Sequence, residues 1–291
     1  MATVNSLSTK TLRDKYRSAQ LAHTLKNAVI SEKICLTDHT DAKTITAPRM
    51  TAMTATISAV NGLYTPAVIT TTDEVLTVDN EIKIAAQIKD YEEILSNFNL
   101  FFETNKEMID RATVAVDVWV LNNLCEDGTG AITTPVGGFT TPVNVQVIIS
   151  DIVSLTAAYA KPMGGSYLVL ENTDITGVIQ AQTNIGFTRA DAAATNGLLG
   201  QMSGVDIYVV RAGTFINAAT TGASGTKTWT NSGHRVAGVK NVATYAAPRG
   251  LKFTEKDAGS GNLATEVVLW GLMGFKQWAD EASLTIDITL N

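Results

Sequence analysis

Along residues 53–59 the chain alternates. Met53, Ala55, Ile57 and Ala59 fall on one side, Thr54, Thr56 and Ser58 on the other, and Asn61-Gly62 follows. Period two leading into Asn-Gly is the strongest short-range hairpin signal, so the pattern predicts a two-stranded ribbon. Between Lys43 and Asp73 the only charged residue is Arg49. A lone hairpin is marginal in water, and an edge without charge invites pairing with another chain. The ribbon is therefore expected to dock on a neighbouring subunit, the alternative being an ordinary hairpin on its own core. Arg49, Met53, Thr54, Thr56, Asn61, Gly62 and Tyr64 are the candidate intersubunit contacts.

Upstream, residues 7–29 carry sparse apolar positions (Leu12, Tyr16, Ala19, Leu25) among charges, which predicts an arm with at most a helical piece, or a disordered tail. Downstream, Ile82, Ile84, Ala86 and Ile88 alternate with Glu81, Lys83 and Lys89 opposite, a half-buried strand. From Asn97 the period lengthens: Phe98, Phe102, Ile109, Ala112, Val116, Trp119 or Val120, and Leu124 recur at three- and four-residue steps. This predicts a helix over 97–124 with Glu103, Lys106, Asp110 and Asp117 on its solvated face and Glu107 spaced to support Arg111. Gly128 and Gly130 are expected to supply the left-handed positions that end it.

The remainder has the texture of an α/β unit. Thr141-Pro142 can cap a helix with Val145, Ile148, Ile149, Ile152, Leu155 and Tyr159 on one stripe and Lys161-Pro162 as its stop. "SYLVLE" reads as a buried strand, "NTDITGVIQAQ" as a capped helix and "GVDIYVV" as another strand. The Gly-, Ser- and Thr-rich run from Ala212 to His234 reads as a mobile loop. "RVAGVKNVATYAAP", "ATEVVLWGLMGFKQW" and "SLTIDITLN" are strand-like.

Composition sharpens this picture. The 291 residues, enough for one large domain or two ordinary ones, are 45% hydrophobic and only 17% charged, against about a quarter charged in typical soluble domains. Such a surface is expected to be covered by partners. A net charge of -6 argues against a protein that grips nucleic acid through clustered cations. Cys35 and Cys125 have no CxxC spacing, which fits reduced thiols in a cytoplasm. The first residues show no apolar core of a secretory signal, and no run of 18 apolar residues occurs, so neither secretion by that route nor a membrane span is expected.

Candidate chemistry is sparse. "GASGTKT" puts Thr226 where a Walker loop needs the glycine before its lysine, and Cys35, Asp38, His39 and Asp41 form a polar turn with no second ligand pair nearby. The three histidines, His23, His39 and His234, fall in the arm, near the ribbon and in the loop, so no nucleophile has a well-placed base. Trp119, Trp270 and Trp278 with Phe98, Phe102 and Phe275 are spaced as packing anchors. No catalytic residue, cofactor or metal is expected.

The order of arm, uncharged hairpin, strand, long helix ending in "EDGTG", and α/β unit containing residues 168–182 and "GLLGQMSGVDIYVV" resembles the major capsid proteins of tailed bacteriophages. The resemblance implies an α+β fold of the Hong Kong ninety-seven type. It implies an N-terminal arm at 1–34, an extended β-hairpin loop at 35–80, and a peripheral domain at 81–132 and 262–283 with spine helix 97–124. An axial domain at 133–261 and a closing strand at 284–291 complete it. Implied with it are a structural role without enzymatic activity and self-assembly into the icosahedral shell around a double-stranded DNA genome. The implied partners are a portal, a separate scaffolding protein and weakly held DNA, with no membrane, and the protein would reside in the virion after assembly in host cytoplasm. An encapsulin-like compartment shell and an α/β hydrolase or binding protein are the alternatives.

Overall fold

The structure, a computed structural model, describes residues 30–38, 42–50, 70–89, 100–181, 187–189, 198–215, 219–222, 225–228, 233–247, 251–257 and 264–291. The expected hairpin tip, with Met53, Thr54, Thr56, Asn61, Gly62 and Tyr64, lies outside these residues, as do the arm before Ile30 and His23 and His39.

In chain order, a short helix α1 (Ile30–Ile34) leads to strands β1 (Leu36–Asp38), β2 (Thr44–Met50), β3 (Thr71–Thr77) and β4 (Asn80–Lys89), then to a long helix α2 (Leu100–Asp127). β5 (Gly130–Thr133), α3 (Pro142–Met163), β6 (Ser166–Glu171) and α4 (Ile175–Ala181) follow. Next come β7 (Phe187–Arg189), β8 (Leu198–Met202), β9 (Val205–Val210), β10 (Ala219–Gly222) and β11 (Gly225–Thr228). The chain closes with β12 (His234–Val239), β13 (Ala243–Ala246), β14 (Lys252–Asp257), β15 (Ala264–Gln277) and β16 (Thr285–Thr289).

Seven strands form one sheet in the order β5-β16-β12-β6-β9-β8-β7. Side chains alternate across it, as a pleated strand demands. Tyr167, Val169, Tyr208, Val210 and Val236 meet the C-terminal half of α2 through Val116, Val120, Leu121 and Leu124. Leu168, Leu170, Ile207, Ala237, Ile286 and Ile288 meet Val145, Ile148, Ile149 and Ile152 of α3 and Val178 of α4. With helices on both faces, β6 is buried at every position.

A second sheet is built on β15, which pairs with β4, β13 and β14, while β1 runs parallel to β13. Its core takes Ile88, Val267 and Leu269 against Met108, Ile109 and Ala112 from the first half of α2. At 1.5 Å per residue the 28 residues of α2 span about 42 Å, which lets one helix line both sheets.

Several expectations need correction. Gly128 and Gly130 are not in the left-handed region. They are needed for close approach: a Cβ at 128 would come within 2.8 Å of the Thr285 carbonyl oxygen, and one at 130 within 2.9 Å of that of Ser283. Pro162 does not stop α3, because a proline in the last turn forfeits only one backbone hydrogen bond. The helix ends at Gly164 and Gly165, with φ of 100° and 105°. Leu155 leaves the buried stripe, being 47% exposed, and Thr156 takes the inward position, bonding the Ile152 carbonyl at 2.7 Å and the Ser166 hydroxyl at 2.8 Å. The run after Ala212 is not a plain loop: Phe215 is buried, and β10 and β11 form an antiparallel pair within it.

Candidate intersubunit surfaces

The ribbon's root is fixed by one missing side chain. β2 and β3 pair in register from Thr44 opposite Thr77 to Met50 opposite Thr71, and the Val78 amide donates to the Lys43 carbonyl at 2.9 Å to close the base. Leu76 and Val78 then sink into a small core with Ala246 and Trp278, with Ile45 and Ala47 packed beside it. Trp278 is itself pinned, its indole N–H donating to the Thr244 hydroxyl at 3.0 Å. Gly274 on β15 makes the seat possible, since a Cβ there would lie 2.8 Å from the Thr77 carbonyl oxygen. Beyond the root the pair leaves the body: Thr71, Thr72 and Asp73 are exposed and Val75 is 46% exposed. Arg49, the only candidate contact within the described residues, lies in β2 opposite Thr72.

A second junction joins the arm to the body. The Ser31 and Ile30 amides donate to the Asp117 carboxylate on α2 at 3.0 and 3.4 Å. The Asn241 amide donates to the Ile34 carbonyl at 2.8 Å, and β1 pairs with β13 immediately afterwards. Ile34 and Cys35 are buried at this point. Asp117 is thus not on a solvated face as its spacing suggested. Burial pushes its carboxyl up to about 6, the amide bonds from Ser31 and Ile30 oppose the rise, and the Glu32 charge adds to it. The partnership expected for Glu107 and Arg111 does form, at 2.7 Å on the helix surface.

A third surface is the outer side of α3. Val143 and Val147, one turn apart, are exposed beside Val136, whose carbonyl accepts from Asn144 at 3.0 Å. From Pro142 to Ala157 the only charged residue is Asp151.

The polar clusters inside the fold are structural in character. Arg235 is buried and donates to Asp174 at 2.5 Å and Glu171 at 3.3 Å, while Glu171 also accepts from the Gly213 and Phe215 amides at 3.1 Å. The Arg235 guanidinium sits 5.4 Å from the centre of the Phe215 ring, so the cluster locks the start of the β10–β11 excursion onto the sheet. His234, expected in a loop, is on β12 and faces Asp287 at 2.6 Å. Burial raises the Asp287 carboxyl, and the bond from His234 opposes that shift. Among the described residues no group of three or more metal-ligating side chains converges.

Comparisons with protein-family models and with curated protein sequences find no match. Comparison with solved structures does. The capsid structure of the cyanophage P-SCSP1u superposes with a TM-score of 0.68 at 14% identity, covering 91% of this chain and 89% of that one. The chain has the fold of phage major capsid proteins. The asymmetric unit of the bacteriophage PhiM1 mature capsid agrees, with a TM-score of 0.62 at 12% identity over 89% of this chain and 85% of that one. The virus-like particle from Pyrococcus furiosus gives 0.59 at 8% identity over 94% and 98%. The long helix expected over 97–124 is present as α2, displaced to Leu100–Asp127.

Sequence reasoning missed the seat of the ribbon and the arm junction. The first had a visible signal, a glycine inside the strand pattern "GLMGF", which marks a close backbone approach. The second had none, because a helical period does not say which other segment will cover a face.

Proposed function

We propose that this chain is a major capsid subunit that self-assembles into the icosahedral shell enclosing the double-stranded DNA genome of a tailed phage. The observation that carries it is the fold match over about nine tenths of both chains. In support, a sparsely charged ribbon is rooted on the body at Leu76 and Val78, with Ile45 and Ala47 packed beside them, and its described strand β3 is exposed from Thr71 to Asp73. Such a pair gains burial by lying on a neighbouring subunit, and Arg49, Met53, Thr54, Thr56, Asn61, Gly62 and Tyr64 are the proposed contacts. A chain so poor in charge loses little in desolvation when neighbours cover it.

The proposed division is an arm at 1–34, an extended loop at 35–80, a peripheral part around α2 and the β15 sheet, and an axial part around the seven-stranded sheet. Sheet membership favours grouping β13 and β14 with the peripheral part and β16 with the axial part. The subunit acts structurally and not as an enzyme, with a portal and a separate scaffolding protein as partners and the virion as its location. A compartment shell of the encapsulin kind is the second reading, favoured by the likeness to the Pyrococcus furiosus particle. Expression followed by electron microscopy and analysis of contents tests both. Rings, tubes or shells are expected; copurifying nuclease-protected DNA fits the first reading and a packaged protein the second, whereas a dispersed monomer under every assembly condition overturns both.

A further inference from the structure

The two sides of β15 carry different chemistry. Val267 and Leu269 are buried against α2, so by strand alternation Glu266, Val268, Trp270 and Leu272 lie on the opposite side. Leu272 is 41% exposed, and Val268 and Trp270 are half-buried. Beside Val268 the register sets Thr254 of β14 and Ala85 of β4, and beside Trp270 it sets Lys252 and Lys83. The Trp270 indole N–H is satisfied within this face, donating to the Thr254 hydroxyl at 3.1 Å, and the Lys252 ammonium lies over the same ring, 5.7 Å from its centre. Two glutamates share the face. Glu81 pairs with Lys83 at 2.7 Å, and Glu266 stands opposite Lys256.

One end of this side is already in use, because the ribbon root lies against it at Gly274. Beyond Gly274 the row of Leu272, Trp270 and Val268 continues toward solvent. An antiparallel sheet can leave one face to water, but that face is then normally polar. Here the middle strand of three presents a valine, a tryptophan and a leucine in sequence along it. The seven-stranded sheet has helices packed on both faces, whereas the described residues put α2 on one face of this sheet.

We propose that this face is a docking site for an amphipathic helix of a second protein, whose apolar stripe is flanked by carboxylates. The dimensions suit such an occupant. From Val268 to Leu272 the row runs about 13 Å, between two and three turns of a helix. The strands bearing Lys83 and Lys252 are two strand spacings apart, about 10 Å, close to the diameter of a helix with its side chains. A helix laid along the row rests on Trp270 and Leu272 and brings carboxylates on its flanks within reach of both ammonium groups. An aromatic anchor with charges at the rim is the arrangement in which interfaces concentrate their binding energy. A nucleic-acid strand fits less well. Lys252 already occupies the ring against which a base would stack, and tracking phosphates takes a larger surplus of cations than Lys83, Lys252 and Lys256 provide beside Glu81 and Glu266.

The test uses the full-length unassembled subunit and a fluorescein-labelled synthetic helix with leucines on one face and glutamates on its flanks, read by anisotropy. The same helix with lysines in place of the glutamates is the control. Saturable binding of the acidic helix is expected, with the basic one at least about tenfold weaker. Lys83→Gln and Lys252→Gln should each weaken binding about fivefold, the upper range for an exposed charge pair. Leu272→Gln, at an exposed position, should weaken it as well, while Lys106→Gln, on the exposed side of α2, should leave it unchanged. Circular dichroism of each variant confirms that the fold is retained. Absence of saturable binding, equal binding of the two helices, or binding indifferent to Lys83→Gln and Lys252→Gln overturns the proposal. So does displacement of the helix by a single-stranded oligonucleotide, which would make the face a nucleic-acid site. Self-association of the native subunit that is lost in Leu272→Gln, measured by sedimentation, overturns it in favour of a second copy of this chain. No shell is formed in these measurements, so their failure is distinct from failure of the shell function.

Discussion

Ile109 and Asp117 sit on the same helix about two turns apart, and their fates show how far a residue's role can be read from spacing. Ile109 belongs to the three- and four-residue stripe and is buried against Ile88, Val267 and Leu269. Truncation to alanine should cost about 2–5 kcal/mol, the lost transfer energy plus the cavity, read as a shift in the denaturant midpoint. A midpoint within error of the native one would remove Ile109 from the core. Asp117 was illegible by the same method, since the helical wheel assigned it to solvent and the covering segment arrives from residues 30 and 31. The exchange of Leu155 for Thr156 on α3 has a related cause. A hydroxyl that can return a bond to its own helix and reach Ser166 tolerates burial, which simple hydrophobicity does not anticipate.

At the scale of elements, strands and helices with a sustained period were legible. β4, α2, α3, β6, α4, β9, β15 and β16 all lie where the pattern put them, with ends displaced by a few residues. The misses cluster where chain direction changes, because glycine and proline advertise a break without saying which constraint they satisfy. Gly128 and Gly130 serve close packing, and Pro162 is carried inside the helix it was expected to end. The ribbon makes its own prediction. Thr54→Lys with Thr56→Lys should leave the subunit's circular dichroism and melting temperature unchanged while sharply reducing shell yield, because two ammonium groups would have to be desolvated on the neighbour. Normal shells from the double variant would remove that stretch from the interface.

At the scale of the whole molecule, strand order was beyond the sequence. β16 lies between β5 and β12, and β15 gathers partners from as far away as β4, pairings that depend on contacts remote in the chain. Net charge, by contrast, is a whole-molecule property that sequence gives directly. With 22 basic against 28 acidic residues, the unassembled subunit should bind random duplex DNA weakly at physiological salt, with a dissociation constant above the micromolar range by fluorescence anisotropy. Submicromolar binding would reopen a nucleic-acid-gripping role. The 28-residue helix α2 carries one more consequence. It contributes Met108, Ile109 and Ala112 to one core and Val116, Val120, Leu121 and Leu124 to the other, and β15 is divided in the same way between Val267 with Leu269 and Met273 with Phe275. Neither sheet can melt without stripping half of two elements the other requires, so the two parts should share a single cooperative transition. In calorimetry, the van't Hoff enthalpy of the subunit should then equal the measured enthalpy, and a resolved pair of peaks would show that the helix does not couple them.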